Sequence, residues 1–421
     1  MNILWLKTEL LHPVDKGGKI RTFHMLKELK REHRITYLTL DDGSASADAR
    51  ERAAEYCHEL VTVAHRTREK FSAAFYGELG MNLVSPLPYF MKKYESREMR
   101  RLIAEHAARL GGGDVLVCDF LNPSINMPDD LACATVLFQH NVEAEIWRRH
   151  YEVQANPVKK AYLYGQWRKT RAYERSACRA FDYVVAVSRE DREMMQREYS
   201  VGAIADVPTG VDTEFFKPSG AERREAHNIV FTGSMDWLPN EDAIQFFTAK
   251  ILPLVRERVP DVTLTVVGRN PFPSLIELSK RDASVEVTGR VEDVRPYMER
   301  AVAYIVPIRI GGGTRLKIYE AMAMEKAIVS TTVGAEGLPV GDGAELLLAD
   351  MPEEFAASLV RVLTDEGFAR ELGARAAATV RERFGWDKVA ASFASACEEA
   401  VRRNEAKASE TRMVSEWRTV A

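Results

Sequence analysis

Short, largely apolar runs recur along this chain of 421 residues, separated by longer segments with helical patterning, and this alternation limits the possible folds more than any other feature. The runs lie at 2–6, 35–40, 60–64, 115–118, 135–138, 183–187, 228–232, 262–267, 285–288, 302–306, 327–331 and 345–348. Helices are predicted between them, among others at 21–31 and 47–59 and in three stretches between 352 and 404. Strands that are apolar on both faces need helices on both faces, and strand–helix alternation gives a parallel sheet. The predicted fold class is α/β, with two Rossmann-like, doubly wound domains.

A chain of this length predicts two domains. Pro, Gly and Ser are dense over 208–220, which marks a linker or hinge. We therefore predict an N-terminal domain over 1–207 and a C-terminal domain over 208–385. A helix over 386–404 is expected to pack back on the first domain, and a polar tail over 405–421 is expected to fray. Two such domains facing each other form a cleft lined by the carboxyl ends of their strands, where ligands of these folds bind.

Composition and charge exclude several classes of protein. The formal net charge of −4 argues against a nucleic-acid-binding protein. No stretch of eighteen apolar residues occurs, so no transmembrane helix is expected, and the first apolar run, broken at Lys7 and Glu9, predicts a strand and not a secretory signal. Five scattered cysteines without a CxxC pair are typical of reduced thiols. The predicted location is the cytoplasm.

The sequence also lacks the motifs of several enzyme classes. There is no GxGxxG after the first strand, no Walker A loop, no HExxH, no Asp-x-Asp and no GxSxG. These absences argue against a dinucleotide-dependent enzyme, a P-loop NTPase and a serine hydrolase, and no metal site is predicted.

One glycine-rich motif, 311–323, follows the predicted strand 302–306 and opens a helix. Helix starts usually carry acidic residues, because the macrodipole places about half a positive charge there. Arg315 and Lys317 in the first turn are unfavourable unless an anion lies between them. Exposed backbone N–H groups and glycines make a cradle for a phosphate or diphosphate. The alternative is a helix start with solvated basic side chains. The residues expected to contact the anion are Gly312, Gly313, Thr314, Arg315 and Lys317.

Two further candidates lie at strand ends in the first half. Gly17 and Gly18 follow the first strand and open a helix, and only glycine lets backbone N–H groups approach a ligand without a Cβ clash. The alternative is a plain turn. His140 follows the strand at 135–138, at the edge where the cleft is expected, and a histidine that merely caps a strand end is the alternative.

The segment 71–97 interrupts the strand–helix rhythm and is rich in aromatic and basic residues. The preferred interpretation is a helical insert that packs its aromatic side chains into its own domain. The alternative is a peripheral contact with the inner face of a membrane and a lipid-linked substrate.

Several short motifs occur in an order that identifies a family. They are Asp15-Lys16-Gly17-Gly18, Gln139-His140-Asn141, Pro208-Thr209-Gly210-Val211-Asp212, Phe231-Thr232-Gly233, Thr288-Gly289-Arg290-Val291 and Glu320-Ala321-Met322-Ala323. Together they resemble the retaining, two-domain (GT-B) glycosyltransferases of glycosyltransferase family 4, over nearly the whole chain.

The resemblance implies a role for each motif. Gly17 and Gly18 approach the donor phosphate or the acceptor, and His140 lies near the transferred sugar. The loop at Gly233 and Ser234 resembles a donor phosphate loop, and that at Arg290 and Val291 one that contacts the base through its backbone. Glu320 matches the second Glu of the family's Glu–seven residues–Glu motif, which binds the ribose hydroxyls.

The sequence departs from the family's pattern at two places. The first Glu of that motif is replaced by Gly312, and relatives use it to contact the sugar. Many relatives place an Arg and a Lys soon after the strand at 228–232, where this chain has Met235, Asp236, Trp237 and Asn240. We expect Arg315 and Lys317 to supply the positive charge instead.

The implied activity is transfer of a sugar from a nucleotide-diphosphate sugar to an acceptor hydroxyl with retention, in surface polysaccharide or glycoconjugate biosynthesis. The expected catalytic residues are His140, Arg315 and Lys317, with no metal, no cofactor beyond the donor substrate, and a glycan or lipid-linked acceptor. Two alternatives stay open. One is a sugar-nucleotide 2-epimerase of the same fold, and the other is a non-catalytic nucleotide-sugar-binding protein.

Overall fold

The computed structural model describes residues 1–14, 16–65, 72–221, 224–310 and 316–420, without the side chains of 73–76 and 411–420. The chain divides into two compact units. The first comprises Met1–Pro208 with Val389–Ala421, and the second comprises Thr209–Lys388.

The first unit carries a parallel sheet of seven strands in the order β3-β2-β1-β4-β5-β6-β7. Its elements are β1 Asn2–Lys7, α1 Gly17–Leu29, β2 Arg34–Asp41, β3 Glu59–Ala64, α2 Ala73–Asn82, α3 Tyr89–Lys92, α4 Arg97–Ala107, β4 Val115–Asp119, β5 Ala134–Phe138, α5 Glu143–Val153, α6 Pro157–Ala180, β6 Tyr183–Ala186, α7 Arg189–Tyr199 and β7 Ile204–Asp206.

The second unit carries a parallel sheet of six strands in the order β10-β9-β8-β11-β12-β13. Its elements are β8 Asn228–Thr232, α8 Leu238–Phe246, α9 Leu252–Arg256, β9 Thr263–Val267, α10 Pro273–Arg281, β10 Val285–Gly289, α11 Arg295–Arg300, β11 Ala303–Val306, α12 Leu316–Ala323, β12 Ala327–Ser330, β13 Leu347–Leu348, α13 Pro352–Thr364 and α14 Glu366–Arg383. A last helix, α15 Trp386–Val420, begins in this unit and continues in the first.

Both sheets are covered on both faces, as their apolar strands require. In β8, Ile229 and Phe231 belong to one hydrophobic cluster, which includes residues of α8 and α13. Val230, which points to the opposite face, belongs to a second cluster with residues of α12 and α14. In the first unit, Trp5 of β1 packs against Phe393 of α15, with ring centroids 5.4 Å apart. The predicted class of two doubly wound α/β domains is confirmed.

Each sheet reverses its winding direction at one point. In the first unit this is between β1 and β4, and in the second between β8 and β11. At such a switch point the connections leave the carboxyl ends of adjacent strands in opposite directions, which opens a crevice for a ligand.

One expectation about secondary structure was wrong, and one strand was missed. The predicted helix at 47–59 is a series of tight turns with a single 3-10 segment, Arg52–Glu55, because backbone N–H groups such as that of Ala49 bond to carbonyls three residues earlier. The short strand β7 was not predicted, since its three residues make no recognisable apolar run. The last helix, α15, continues past residue 404 to Val420, so the residues of the expected polar tail up to that point are helical, and their fraying stays a prediction.

Candidate functional site

In the first unit, charged side chains end the two strands at the switch point. Leu6 of β1 pairs with Cys118 of β4, so the next residues, Lys7 and Asp119, lie side by side at the carboxyl edge of the sheet. Lys7 is 2% exposed and Asp119 is not exposed at all. Two opposite charges are therefore buried where a ligand of this fold would bind.

Asp119 is the centre of a polar network. Its Oδ2 accepts hydrogen bonds from Trp5 Nε1 at 2.9 Å, Lys7 Nζ at 2.8 Å and Thr22 Oγ1 at 2.6 Å. Burial alone would raise the pKa of this carboxyl, but the neighbouring Lys7 ammonium and His140 hold the pKa well below its usual range. Asp119 is therefore an ionised carboxylate.

His140 follows β5 and contacts the same carboxylate, with Nε2 2.7 Å from Asp119 Oδ1. Its ring stacks on Phe120 with centroids 3.7 Å apart and planes inclined by 24°. Burial lowers the pKa of His140 to about 3, although Asp119 opposes the shift. The imidazole is therefore neutral at pH 7 and fixed in position by neighbouring side chains.

The predicted glycine pair begins α1. Gly17 is exposed and a Cβ there would contact nothing within 4 Å, whereas a Cβ on Gly18 would come within 2.8 Å of the Phe120 ring. The first turn of α1 contains no acidic side chain, and the preceding Lys16 makes no side-chain cap. Gly18 therefore has a packing role beside His140, and Gly17 leaves the start of the helix open to solvent.

In the second unit, Lys317 of α12 lies at the switch point between β8 and β11. Its Nζ donates to Asn240 Oδ1 at 3.0 Å and lies 4.2 Å from the centre of the Phe231 ring. Gly233 directly follows β8, and a Cβ at Gly233 would come within 2.8 Å of both Lys317 Nζ and Asn240 Nδ2. A side chain at position 233 would therefore displace the ends of the Lys317 and Asn240 side chains.

Ser234, the next predicted residue, lies in a small polar cluster. Arg269 Nε donates to Ser234 Oγ at 2.8 Å, and Ser234 Oγ donates to Asp236. Asn240 Nδ2 donates to the Ser234 carbonyl at 2.8 Å, so the same asparagine fixes both this loop and Lys317. Asn240, noted above as a departure from the family's pattern, holds the loop together.

Glu320 lies one helical turn after Lys317 and is partly buried. Burial raises its pKa to about 7, and Lys317 opposes this shift. Within the described residues its carboxylate accepts no hydrogen bond. Arg290 and Val291 follow β10, with Arg290 exposed and Val291 packed against the hydrophobic cluster that includes Ile318 and Met322.

Gly312, Gly313, Thr314 and Arg315 lie outside the described residues, so their predicted contacts stay predictions. In the first unit Gly18 and His140 both lie against Phe120, and in the second the structure brings together Gly233, Ser234, Lys317 and Glu320. Across the described part of the chain, no three His, Cys, Asp or Glu side chains form a group that could hold a metal ion.

Sequence reasoning missed Asp119, Lys7, Trp5 and Thr22. A usable signal existed for the first two, since each is a charged residue that directly ends an apolar strand. Trp5 and Thr22 could not be found in this way, because their contact with Asp119 depends on the pairing of β1 with β4 and on the packing of α1.

Comparison with known proteins identifies the family of this chain. Residues 16–215 match the model of the family described as Glycosyltransferase Family 4, and residues 226–365 match that described as Glycosyl transferases group 1. The chain is 29% identical over 254 residues to a D-inositol 3-phosphate glycosyltransferase of Streptomyces bingchenggensis, which covers 53% of the chain and 54% of the relative. It spans about half to two thirds of the length of the curated relatives it matches.

Two solved structures share the fold. A glycosyltransferase from Rickettsia africae superimposes with a TM-score of 0.65 at 13% identity, covering 95% of this chain and 98% of that one. HepE from Anabaena, solved in complex with UDP and glucose, superimposes with a TM-score of 0.58 at 12% identity, covering 93% of this chain and 98% of that one.

Proposed function

The chain belongs to glycosyltransferase family 4 (group 1), and on that premise we propose that it transfers a sugar from a nucleotide-diphosphate sugar to an acceptor hydroxyl with retention of configuration. The observation that carries the proposal is the position of Lys317, in the first turn of α12 at the switch point of the second sheet. The ammonium group of Lys317, the N-terminus of α12 and Gly233, which directly follows β8, lie close together there. A cation, a helix N-terminus and a glycine are the groups that bind a diphosphate.

The transferred sugar leaves behind a diphosphate whose oxygens gain negative charge. Lys317, Arg315 and the N–H groups at the start of the 311–323 motif would stabilise that charge without reorganisation, because Asn240 already holds the Lys317 ammonium. We propose that these cations do the work that a metal ion does elsewhere, and that the enzyme needs no metal.

Glu320 would bind the ribose of the donor. Two ribose hydroxyls can donate to one carboxylate, and within the described residues this carboxylate has no other donor. The loop at Arg290 and Val291 would contact the base. These roles follow from the family's motifs and are supported by the partly buried position of Glu320 beside Lys317.

His140 would lie against the transferred sugar, and the acceptor hydroxyl would attack from the face that the diphosphate leaves. No side chain needs to form a covalent intermediate in that mechanism. We propose a glycan or lipid-linked acceptor and a role in surface polysaccharide or glycoconjugate biosynthesis. An uncharacterized protein from the cps region of Klebsiella pneumoniae, 20% identical over 264 residues, supports this setting.

We also propose a peripheral contact with an anionic membrane surface, on the first unit. Met81, Leu83 and Val84 are 66%, 62% and 91% exposed at the end of α2. Lys169 Nζ donates to the Leu83 carbonyl at 3.3 Å, so this apolar end lies against α6.

Charge supports the same surface. The stretch 157–171 of α6 contains five cations and no acidic residue, in a chain whose net charge is −4. Val158, on the same face of α6 as Lys169, is 79% exposed. Exposed apolar and basic side chains together are typical of proteins that bind anionic lipid headgroups. No helix in the described residues is long and apolar enough to cross a bilayer. The described aromatics Tyr89, Phe90 and Tyr94 instead contact their own unit, Phe90 by stacking on Trp147.

Sedimentation with vesicles tests the membrane contact. Wild type is expected to bind phosphatidylglycerol-containing vesicles, to bind phosphatidylcholine alone weakly, and to dissociate as salt rises. Leu83→Ser/Val84→Ser and Lys159→Glu/Lys160→Glu should each weaken binding, whereas Met351→Ser, at an exposed apolar residue of the second unit, should not. Equal binding by all variants, or none by wild type, would contradict the proposal.

Acceptor dependence tests the transfer itself. A transferase releases nucleotide faster when an acceptor is added and yields a glycoside with the anomeric configuration of the donor. Rearrangement of the donor without acceptor would indicate an epimerase, and tight donor binding without turnover on any acceptor would indicate a binding protein.

A further inference from the structure

We propose that Glu174 is a positioning residue that holds the segment 139–144, and with it His140, by accepting hydrogen bonds from both ends of that segment. Where it concerns catalysis, this inference rests on the proposed function, since His140 is there placed against the transferred sugar. Glu174 itself lies on α6, so its effect on the reaction would pass through His140.

The carboxyl group of Glu174 is fully buried and has four hydrogen-bond donors. Its Oε1 accepts from Gln139 Nε2 at 3.0 Å and from the Glu143 backbone N–H at 2.8 Å. Its Oε2 accepts from the Ala144 backbone N–H at 3.0 Å and from the Tyr199 hydroxyl at 2.8 Å. A carboxylate offers about four lone-pair positions. All of them are therefore used, and three of the four donors belong to the segment 139–144.

Two of these donors belong to the start of α5, which has no cap of its own. The N-cap residue of α5 is Val142, whose side chain has no acceptor, whereas Ser, Thr, Asp or Asn at this position accepts a hydrogen bond from the first turn. Glu174 supplies the acceptor from α6 instead. Its negative charge also lies at the end of α5 where the helix macrodipole is positive. The first turn of α5 therefore depends on a residue of the next helix.

His140 lies between the bonds that hold the two ends of this segment. Before it, the Gln139 backbone N–H donates to the Val185 carbonyl of β6 at 2.8 Å, and the Gln139 side chain donates to Glu174. After it, α5 begins at Glu143, whose N–H donates to the same carboxylate. Only two residues separate His140 from Glu143. The position of the His140 backbone is therefore limited from both sides by one buried carboxyl group.

This arrangement tolerates protonation of Glu174. Burial raises the pKa of the carboxyl to about 7, and the hydrogen bonds from Ala144, Tyr199 and Glu143 oppose the shift. Of the two groups that donate to Oε2, only the Tyr199 hydroxyl can turn and accept, because a backbone N–H has no lone pair. A proton on Oε2 would therefore point to Tyr199 and leave both bonds to Oε1 in place.

Hydrogen exchange of the full-length protein tests the hold on this segment without any substrate. A glutamine at position 174 has one accepting oxygen in place of two, so one of the N–H groups of Glu143 and Ala144 loses its partner in either orientation of the amide. Mass spectrometry of peptides that cover 139–145 should show exchange about tenfold faster in Glu174→Gln than in wild type.

Tyr199→Phe is the matched control, because it removes a donor to the same carboxylate and none from the segment 139–144. Exchange in the peptides that cover 139–145 should stay within about twofold of wild type in this variant. Unchanged exchange in Glu174→Gln, or equal acceleration in the two variants, would overturn the proposal.

Kinetics with the identified donor and acceptor connect the segment to the reaction. At about pH 8.5, where Glu174 is mostly ionised, Glu174→Gln should lower kcat by about tenfold to a hundredfold, as expected for a small displacement of a positioned group. The donor KM should stay within about twofold of wild type, because the residues proposed to bind the nucleotide lie in the second unit. Tyr199→Phe should keep kcat within about twofold. An unchanged kcat in Glu174→Gln, or an equal fall in both variants, would contradict a positioning role.

Gln139→Met covers the case in which Glu174→Gln does not fold. It replaces one donor to Glu174 by a side chain of similar size and leaves both bonds to the start of α5 in place. Its kcat should fall by about threefold to tenfold, and an unchanged kcat in the folded variant would overturn the proposal.

The two kinds of measurement separate this inference from the proposed function. If exchange follows the expectation but wild type transfers no sugar, the proposed function fails and the hold of Glu174 on the segment 139–144 stands. If wild type transfers sugar and Glu174→Gln behaves like Tyr199→Phe, the role of Glu174 fails and the proposed function stands.

Discussion

Asp119 and Glu320 are carboxyl groups in buried surroundings, and neighbouring lysines leave them in different charge states. Lys7 donates directly to Asp119 at 2.8 Å, and the pKa of that carboxyl lies well below its usual range in spite of burial. Lys317 instead donates to Asn240, and burial raises the pKa of Glu320 to about 7. Asp119 is therefore ionised at neutral pH, whereas the pKa of Glu320 lies near neutral pH.

Lys317→Met should lower turnover by about 10²–10³, because loss of one stabiliser of developing charge costs about 2.7–4 kcal/mol. Steady-state kinetics with the identified donor measures the loss. Lys280→Met, at an exposed lysine near the end of α10, serves as a matched control and should change turnover by less than about twofold. A loss below tenfold in Lys317→Met, with donor still bound, would remove Lys317 from the reacting centre.

The charge of Glu320 should make donor affinity depend on pH. In the free protein the pKa of Glu320 is raised from 4.5 to about 7, so the folded state holds this proton more tightly than the unfolded chain does. The resulting contribution to the free energy of unfolding is complete below pH 4.5 and is lost as pH rises toward 7. Ribose hydroxyls donate to the ionised form, so donor affinity should rise with pH and level off above about 7, by at most about tenfold per pH unit.

Calorimetric titration of wild type and Glu320→Gln with a nucleotide sugar between pH 5.5 and 8.5 measures this dependence. The variant should bind more weakly at pH 8 and show a flat profile. The same slope in both proteins would assign the dependence to another group.

At the scale of elements, the start of α1 offers a matched pair of glycines. Gly17→Ala should leave the stability nearly unchanged, since a Cβ there contacts nothing within 4 Å. Gly18→Ala places a methyl group within 2.8 Å of the Phe120 ring, so it should destabilise by about 1–3 kcal/mol or displace Phe120 from His140. Chemical denaturation measures both, and equal effects from the two substitutions would contradict the packing.

Strand ends were the most predictable part of the site. Apolar runs fixed where β5, β8 and β11 end, and the residues that follow, such as His140 and Gly233, could be proposed from position alone. The order of strands in each sheet could not be predicted, because it depends on pairing between distant segments. The contact between Lys7 and Asp119 depends on that order, so it was not predicted either. The helix at 47–59 failed for a local reason, since polarity and alanine content do not distinguish a helix from successive 3-10 turns.

At the scale of the whole molecule, α15 makes the C-terminal end of the chain part of the first unit. Phe393 is fully buried against Trp5 and Phe138, with centroid distances of 5.4 and 4.8 Å. Trp5 is also the residue that donates to Asp119 at 2.9 Å. The last helix therefore supports the strand from which the His140 network is built.

Phe393→Ala should destabilise the protein by about 3–5 kcal/mol, as expected for a buried aromatic residue. Thermal and chemical denaturation should show the loss in the transition of the first unit. Glu398→Ala, at an exposed residue of the same helix, should leave that transition within about 0.5 kcal/mol of wild type. An equal effect of the two substitutions would mean that α15 contributes through its charge and not through its packing.

Nucleotide release from UDP-, GDP-, ADP- and TDP-sugars in the presence of EDTA tests the proposed diphosphate site, with wild type compared with Arg315→Ala/Lys317→Ala. We expect wild type to bind or turn over one donor without metal, and the double variant to remain folded but to lose this binding or turnover. If folded wild type binds none of these nucleotides, or if the double variant behaves like wild type, the proposed diphosphate site at α12 is wrong. The assignment of the fold would be unaffected.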